Sequence, residues 1–297
     1  MRRNPALIGS SLLPLLLVGG TAFALAEFGI EGMGVVSTKA SEVRGSVSPD
    51  GQRIVWGSPD REGGPGGGDL WQATLKDGRW QDAKPLALNT NAKDFDPMFS
   101  ADGRWLYFVS DRPGGRGGAD AYRAAVLGNG FGKPENLGPG VNTKGDERAP
   151  TPSRDGEALL FASNGHGGAG RHDLFFARWD STAFGRVAPV PGVNTRHDEI
   201  DAAWLGDGEA IVFARSPDAQ AKPIQLRVGQ CDGKRYAGIA PLKLSFNTDA
   251  ATTLGPVVEW NKPGELLVTG SARAPKAGGL DIYRMKAPTV TGRRGCI

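Results

Sequence analysis

The sequence predicts an all-β protein folded as a β-propeller of four-stranded blades, with five blades in the ring. The first observation is a turn motif that recurs at residues 48–51, 100–103, 153–156, 205–208 and, more weakly, 261–264. The second is its spacing, because the final glycines of successive copies lie 52, 53, 52 and 56 residues apart. A unit of this length cannot cover both faces of its own sheet, whereas units stacked around a ring cover one another.

Within one repeat, strand-like runs alternate with turns. In the second copy the four strand-like segments are residues 96–100, 105–109, 120–126 and 131–137. The Asp102-Gly103 pair between the first two segments is a strong hairpin signal, and the nearly unbroken apolar run that follows is typical of a strand covered on both faces. A sandwich would not repeat side chains so regularly and solenoid coils are shorter, so the pattern favours the propeller over both.

The repeat also predicts the boundaries of the blades. They fall at approximately residues 39–90, 91–143, 144–195, 196–248 and 249–297. Six blades is the alternative count, but the last eleven residues are too short to form one more. The fifth copy lacks an obvious fourth strand, and residues 33–38 align with residues 138–143, at the end of a fourth strand. We therefore predict that residues 33–38 complete the last blade and pair its open edge, with residues 289–296 as the rival.

The first 26 residues have the pattern of an export signal. Arg2 and Arg3 precede an uncharged stretch, which ends in the small-x-small sequence Ala24-Leu25-Ala26. An uncleaved membrane anchor is the alternative, which the glycines, serines and proline of the stretch disfavour. We therefore expect a periplasmic or secreted protein of the bacterial envelope, without a transmembrane span after cleavage. In an oxidising compartment Cys231 and Cys296 could form a disulfide, and two unpaired thiols are the alternative.

Composition and motifs narrow the classes of function. Without Arg2 and Arg3, 33 basic residues face 32 acidic ones, so the mature chain is nearly neutral. Domains that bind nucleic acid normally carry a basic stripe, so nucleic acid is not expected as a partner. The sequence contains no H-E-x-x-H, C-x-x-C or G-x-S-x-G motif. We therefore assign no catalytic residue from the sequence.

The stretch FSADGRWLYFVSDRPGGRGGAD, from Phe99 to Asp120, resembles the WD-like "Pro-Asp" propeller repeat. That repeat is found in the periplasmic protein TolB and in many related exported proteins, and the resemblance covers roughly residues 35–285. It implies the propeller fold. It does not by itself imply one function, because the same repeat builds the propellers of some peptidases. The α/β domain that precedes the TolB propeller has no counterpart between Glu27 and Val35, so we expect a TolB-like propeller alone.

Aligned repeats place an acidic residue at one equivalent position in four blades: Glu42, Asp94, Glu147 and Glu199. This position begins the innermost strand of a blade, so we expect these acids to ring the mouth of the central channel. A cationic or hydrogen-bonding ligand would suit such a ring, and calcium is a candidate because it takes oxygen ligands. The alternative is that each acid satisfies backbone or arginine groups within its own blade.

Other polar residues accompany this ring. In a four-stranded meander, the link between the second and third strands shares a face with the link to the next blade. That face is rich in Asp, Arg, Asn and glycine, and we include further residues in the predicted partner-binding surface: Asp96, Asp111, Arg112, Asp146, Asp198 and Asp201.

The favoured function is a binding or scaffolding module of the cell envelope. We expect a monomer that engages an envelope protein or a peptidoglycan-associated partner through the loop-rich face, without a cofactor other than the calcium candidate. The enzyme alternative is a glycoside hydrolase, since that chemistry needs only two carboxylates at a set separation. Exposed Trp residues would support it, and Trp179 and Trp204 have no other assignment. A purely structural accessory domain is the third hypothesis.

Overall fold

The computed structural model describes residues 27–30, 33–128, 130–217 and 222–297. The predicted export signal, residues 1–26, lies outside the described residues. Within the described part of the chain, no helix is long and apolar enough to cross a membrane.

The described residues form five antiparallel sheets, each with at least four strands. Blade 1 contains β2 (Val43–Val47), β3 (Arg53–Ser58), β4 (Asp69–Lys76) and β5 (Arg79–Pro85). Blade 2 contains β6 (Asp94–Phe99), β7 (Trp105–Ser110), β8 (Asp120–Leu127) and a fourth strand in two pieces, β9 (Gly130–Phe131) and β10 (Glu135–Asn136). Blade 3 contains β11 (Glu147–Pro152), β12 (Ala158–Ser163), β13 (Asp173–Trp179) and β14 (Phe184–Pro189).

Blade 4 contains β15 (Asp198–Leu205), β16 (Ala210–Ser216), β17 (Gln225–Cys231) and β18 (Tyr236–Pro241). Blade 5 contains β19 (Leu254–Val258), β20 (Glu265–Gly270), β21 (Asp281–Lys286) and, from the N-terminal side, β1 (Glu27–Gly29). The first strands of successive blades contact one another and form the centre of the ring. The predictions of an all-β fold and of five blades are confirmed.

The recurring turn motif forms the hairpin between the first and second strands. In blade 1 the Ser48 hydroxyl donates a hydrogen bond to Asp50, whose carboxylate also accepts the backbone N–H of Gln52. Gly51 has a φ of 72°, a left-handed conformation that costs glycine little. The same Ser-to-Asp bond recurs in blades 2 and 3. The motif therefore reverses the chain by hydrogen bonds between residues close in sequence.

The apolar core is divided among the gaps between blades. Among the described residues, five clusters of buried apolar residues draw their members mainly from two neighbouring blades each, and Met98 of blade 2 joins the cluster between blades 5 and 1. The cluster that joins blades 5 and 1 includes Trp56 and Ile282, and it also takes in Ile30 and Val36 from the N-terminal segment. Since every gap is filled, the ring is closed by packing as well as by strand pairing.

The strand that completes blade 5 lies earlier in the chain than predicted. Glu27, Phe28 and Gly29 pair with Met285, Arg284 and Tyr283 of β21, whereas residues 33–38 form turns. The alignment of residues 33–38 with residues 138–143 was sound, but residues 138–143 are themselves a loop after β10. The rival candidate, residues 289–296, does not pair with blade 5.

The C-terminal tail, residues 287–297, crosses instead to blade 4. Gln230 accepts the backbone N–H groups of Thr291 and Gly292, and the N–H of Arg293 donates to the carbonyl of Cys231. Cys231 and Cys296 form a disulfide in the structure. The tail is thereby fixed to the third strand of blade 4.

Candidate functional site

Two kinds of loop meet on one face of the ring. We call this the loop-rich face, formed by the links between second and third strands and by the links between blades. The backbone N–H of Asp94, at the end of one link, donates to Gly68, and that of Gly118 donates to Gly145. The opposite face, which we call the turn face, carries the hairpins of the recurring turn motif.

The repeated Asn-Thr pair explains how one blade is attached to the next. The side chain of Asn142 accepts from the N–H of Ala121 and donates to its carbonyl, at 2.8 and 2.9 Å, in the third strand of blade 2. The N–H and hydroxyl of Thr143 both donate to Glu147, at the start of blade 3. Equivalent Asn residues make the same pair of bonds in three other blades: Asn89, Asn194 and Asn247.

The four predicted ring acids are buried and bonded inside the protein: Glu42, Asp94, Glu147 and Glu199. Each accepts both the backbone N–H and the hydroxyl of a Thr four residues before it. These contacts hold the loop that enters the blade. The acids lie at the predicted position, but they do not present an open ring of carboxylates.

Further partners come from the second strand of the same blade or the residues that follow it. Ser163 donates to Glu147 at 2.7 Å, and Arg215 donates to Glu199 at 2.6 Å. Arg112 donates to Asp94 at 2.5 Å while its guanidinium lies 5.2 Å from the ring centroid of Phe108. The structure therefore shows the arrangement stated as the alternative, in which the acids satisfy groups in their own blades.

Burial changes the acidity of these groups. Desolvation raises the pKa of Glu42 to about 7, against the lowering effect of its bonds from Thr38. Desolvation likewise raises the pKa of Glu147 and of Glu199, and the hydrogen bonds from Thr143 and Thr195 oppose it.

The accompanying acids accept hydrogen bonds from the backbone of neighbouring loops. Asp111, which is exposed, accepts the backbone N–H of Lys93 at 2.6 Å. Asp146 accepts the N–H of Ala119 at 2.9 Å, and Asp198 accepts the N–H of His172 at 2.9 Å. These three acids therefore hold loops of the face together.

Asp96 and Asp201 lie deeper, inside the central channel. Asp96 accepts the N–H of Ala149, and Asp201 accepts that of Gly255, each across a blade boundary. The fully buried Arg44 lies 3.9 Å from Asp201 and donates to Thr151 at 2.6 Å, so it spans the channel. Desolvation and the charge of Asp96 raise the pKa of Asp201 to about 6. The channel is thus occupied by the protein's own charged side chains.

The acids considered as calcium ligands are engaged by other groups of the protein. Within the described ranges, no group of three or more His, Cys, Asp or Glu side chains is placed to hold a metal ion. The carboxylate oxygens of the ring accept N–H and O–H donors instead, as Glu147 does from Thr143 and Ser163.

The exposed charge of the loop-rich face is mainly positive, which the sequence analysis missed. Among the described residues, ten exposed Lys and Arg residues lie in these loops against four exposed acids. The cations are Lys39, Lys93, Arg116, Lys144, Arg171, Arg196, Lys222, Lys243, Arg273 and Lys276, and the acids are Asp60, Glu62, Asp111 and Asp249. A signal was present in the repeat, since a cation follows or closely follows the Asn-Thr or Ser-Thr pair in blades 1 to 4.

The turn face holds a cavity of about 750 Å³ that the sequence analysis also missed. Residues of blades 3, 4 and 5 and the C-terminal tail line it, and it reaches inward to Met98 and Thr151. Trp204, which had no assignment from the sequence, is one of its walls. Trp179 lies elsewhere and packs edge-on against Phe184, at 5.0 Å between ring centroids.

Comparison with known proteins shows which structures share the fold of the chain. No protein-family model matches it, and no curated protein sequence does. The structure of a putative TolB from Agrobacterium tumefaciens matches 87% of this chain and 87% of its own length, at 13% identity and a TM-score of 0.50. The structure of TolB from Acinetobacter baumannii matches 87% of this chain, at 12% identity and a TM-score of 0.49. This chain covers 57% of the length of that protein.

Hydrazine synthase from Kuenenia stuttgartiensis is also similar, at 15% identity and a TM-score of 0.53 over 86% of this chain and 39% of that one. Identities this low show a shared fold alone. The chain is a five-bladed β-propeller, similar in fold to the propeller of TolB. Because an enzyme is among the similar structures, the fold leaves the activity open.

Proposed function

We propose that this protein is an exported binding module of the cell envelope, which captures an acidic protein partner on its loop-rich face. The observation that carries the proposal is the separation of charge on that face. The carboxylates of the ring are buried and bonded, whereas Lys39, Lys93, Lys144 and Arg196 are exposed. A partner that approaches the mouth of the channel meets cations.

The placement of these four cations follows from the repeat. Each lies within four residues of the first strand of its blade, so together they surround the channel on four sides. The fifth blade has Asp249 after its Asn-Thr pair, where it accepts a hydrogen bond from Gln225. Several like charges on one face steer an oppositely charged partner and favour it over neutral ones.

Two exposed acids of the face accept hydrogen bonds from the loops themselves. Asp60 accepts the N–H of Ser41 at 2.7 Å, as Asp111 does that of Lys93. Their carboxylates thus contribute to loop structure, and the excess of exposed cations supports an anionic partner.

Binding accounts for these observations better than glycoside hydrolysis. A hydrolase needs two carboxylates that face its substrate. The four ring acids are buried, and the two acids inside the channel, Asp96 and Asp201, accept backbone N–H groups across blade boundaries. The export pattern of residues 1–26 supports the part of the proposal that concerns location, a partner in the periplasm or outside the cell.

Binding of poly-L-glutamate to immobilised mature protein tests the proposal. In the variant K39Q/K93Q/K144Q/R196Q, we expect the affinity to fall about tenfold or more, because four exposed cations are lost together. Raising the salt concentration should weaken binding to the wild type in the same way. The free energy of unfolding should change little, since all four side chains are exposed.

The matched control is R79Q/K84Q/K133Q/K234Q, which removes four exposed cations outside the loop-rich face. It should keep the affinity of the wild type. If both variants lose affinity equally, net charge rather than this face is responsible and the proposal fails. Binding to purified peptidoglycan sacculi, with no binding to the acidic polypeptide, would also overturn it in favour of a cell-wall partner.

A further inference from the structure

The turn-face cavity occurs where the repeat is broken. Residues four positions before the turn glycine are Val47, Phe99, Pro152, Trp204 and Trp260, so only blades 4 and 5 carry Trp there. Both Trp residues line the cavity. Two positions before the glycine, blade 3 alone carries arginine, Arg154, and it also lines the cavity. Residues that depart from the repeat thus converge on one place, which is what an asymmetric ligand site requires.

The C-terminal tail completes the cavity from outside the repeat. In blade 4, Leu205 replaces the Ser that bonds the turn Asp in blades 1 to 3, and Asp207 pairs with Arg294 of the tail instead. Ile297 packs so closely that a Cβ at Gly208 would lie 2.6 Å from its Cδ1 atom. Together with the disulfide to Cys231, these contacts fix the tail as a wall of the cavity.

The lining combines an apolar interior with cations near its opening. Apolar side chains come from the inner strands and the tail: Met98, Trp204, Val258, Trp260, Val290 and Ile297. Arg154 of blade 3 is exposed, with its guanidinium carbon 5.6 Å from the Trp260 ring centroid, and Lys286, which like Trp260 belongs to blade 5, is exposed as well. In the part of the chain that the structure describes, neither cation forms an ion pair.

The acids of the cavity are engaged by the protein. Asp155 accepts a hydrogen bond from Ser153 at 2.6 Å, Asp207 pairs with Arg294, and Glu265 lies 3.1 Å from the guanidinium of Arg284. The charges of Arg154 and Lys286, which form no ion pair among the described residues, are available to a ligand.

We propose that the turn-face cavity is a binding site for an amphiphilic carboxylate, a single carboxylate group on an apolar body. The apolar body lies against Trp204 and Trp260, and the carboxylate binds between Arg154 and Lys286. The volume is in the range of sites for small molecules, about 300–1,000 Å³. This site lies on the opposite face from the proposed protein partner and does not depend on it.

Isothermal titration calorimetry with defined probes tests the site. Decanoate represents a fatty acid, and N-acetyl-Leu-Phe represents the C-terminal end of an apolar peptide. We expect at least one to bind, and the arm that binds identifies the source of the carboxylate. Decyltrimethylammonium and the amide of N-acetyl-Leu-Phe are the matched probes without a carboxylate. Their affinity should be lower by about tenfold or more.

The variant R154Q/K286Q should weaken binding of the carboxylate probe by about tenfold or more while leaving thermal unfolding unchanged. Arg104 provides the control, because it is an exposed arginine beside the turn of blade 2, outside the cavity. R104Q should bind as the wild type does. The proposal is overturned if neither carboxylate binds, if the probes without a carboxylate bind equally well, or if R154Q/K286Q binds like R104Q.

Discussion

The loop-rich face and the turn face use their polar residues in different ways. On the loop-rich face the acids recur from blade to blade, and they are buried under hydrogen bonds from Thr and Ser side chains. On the turn face, arginine occurs at the position of Arg154 in one blade alone, and tryptophan at the position shared by Trp204 and Trp260 in two; all three residues line a cavity.

This difference separates architecture from binding in a repeat protein. Every blade must hold its entering loop and attach to the next blade, so the residues that do so recur. A ligand that is not five-fold symmetric needs residues that do not recur. The exposed cations of the loop-rich face fall between these two groups. They recur in four blades, as framework residues do, but their side chains take no part in the hydrogen bonds that recur from blade to blade.

The largest expected effect comes from breaking the repeated framework. Glu147→Ala removes the acceptor for the N–H and hydroxyl of Thr143 and for the hydroxyl of Ser163. We expect the free energy of unfolding, measured by urea denaturation, to fall by about 2–4 kcal/mol because these donors lose their partner. Glu157→Ala, an exposed acid in the same blade, should change it by less than about 0.5 kcal/mol. Equal stability of the two variants would contradict a structural role for Glu147.

Releasing the tail should have the next largest effect. The disulfide joins residues 65 apart in sequence, so Cys231→Ser with Cys296→Ser frees the chain and should lower the free energy of unfolding by about 2–4 kcal/mol. Because the tail walls the turn-face cavity, binding of the carboxylate probe should be lost as well, while binding of poly-L-glutamate on the other face should persist. Loss of both activities would show that the two faces are coupled.

A smaller effect concerns pH. The folded state raises the pKa of Glu42 from 4.5 to about 7, so it binds this proton more tightly than the unfolded chain does. The free energy of unfolding should therefore fall as the pH rises from about 4.5 to about 7. Glu42→Gln should make this fall shallower, as measured by urea denaturation at about pH 5 and about pH 7.5. Glu157→Gln should leave the slope of the wild type; an equal effect of both variants would contradict the role of burial.

Much of the fold follows from local sequence signals. The Asp-Gly turns and apolar runs are short-range features, so the five blades could be predicted from them. The closing strand could not, because β1 is only three residues long and pairs with Met285 and its neighbours far along the chain. The alignment found the correct loop, in which Thr38 bonds Glu42 as Thr143 bonds Glu147, and the strand lies just before it.

The candidate sites were harder to predict. The repeat showed where the acids lie along each strand, but depth and hydrogen-bond partners depend on neighbouring loops, as for Asp96 and Ala149 across a blade boundary. The cavity requires the tail to cross from blade 5 to blade 4, a contact that no local pattern indicates. The sequence feature that could have indicated the cavity is the occurrence of Trp204 and Trp260 where the first three blades have other residues.

Hydrogen–deuterium exchange of the mature protein, with and without decanoate, tests most directly whether departures from the repeat mark the ligand site. We expect slower exchange in residues 152–156, 204–209, 258–265 and 286–297. Exchange should be unchanged in the loops that bear the buried acids, residues 38–42, 90–94, 143–147 and 195–199. Slower exchange in those loops, with no change around the turn-face cavity, would contradict this prediction.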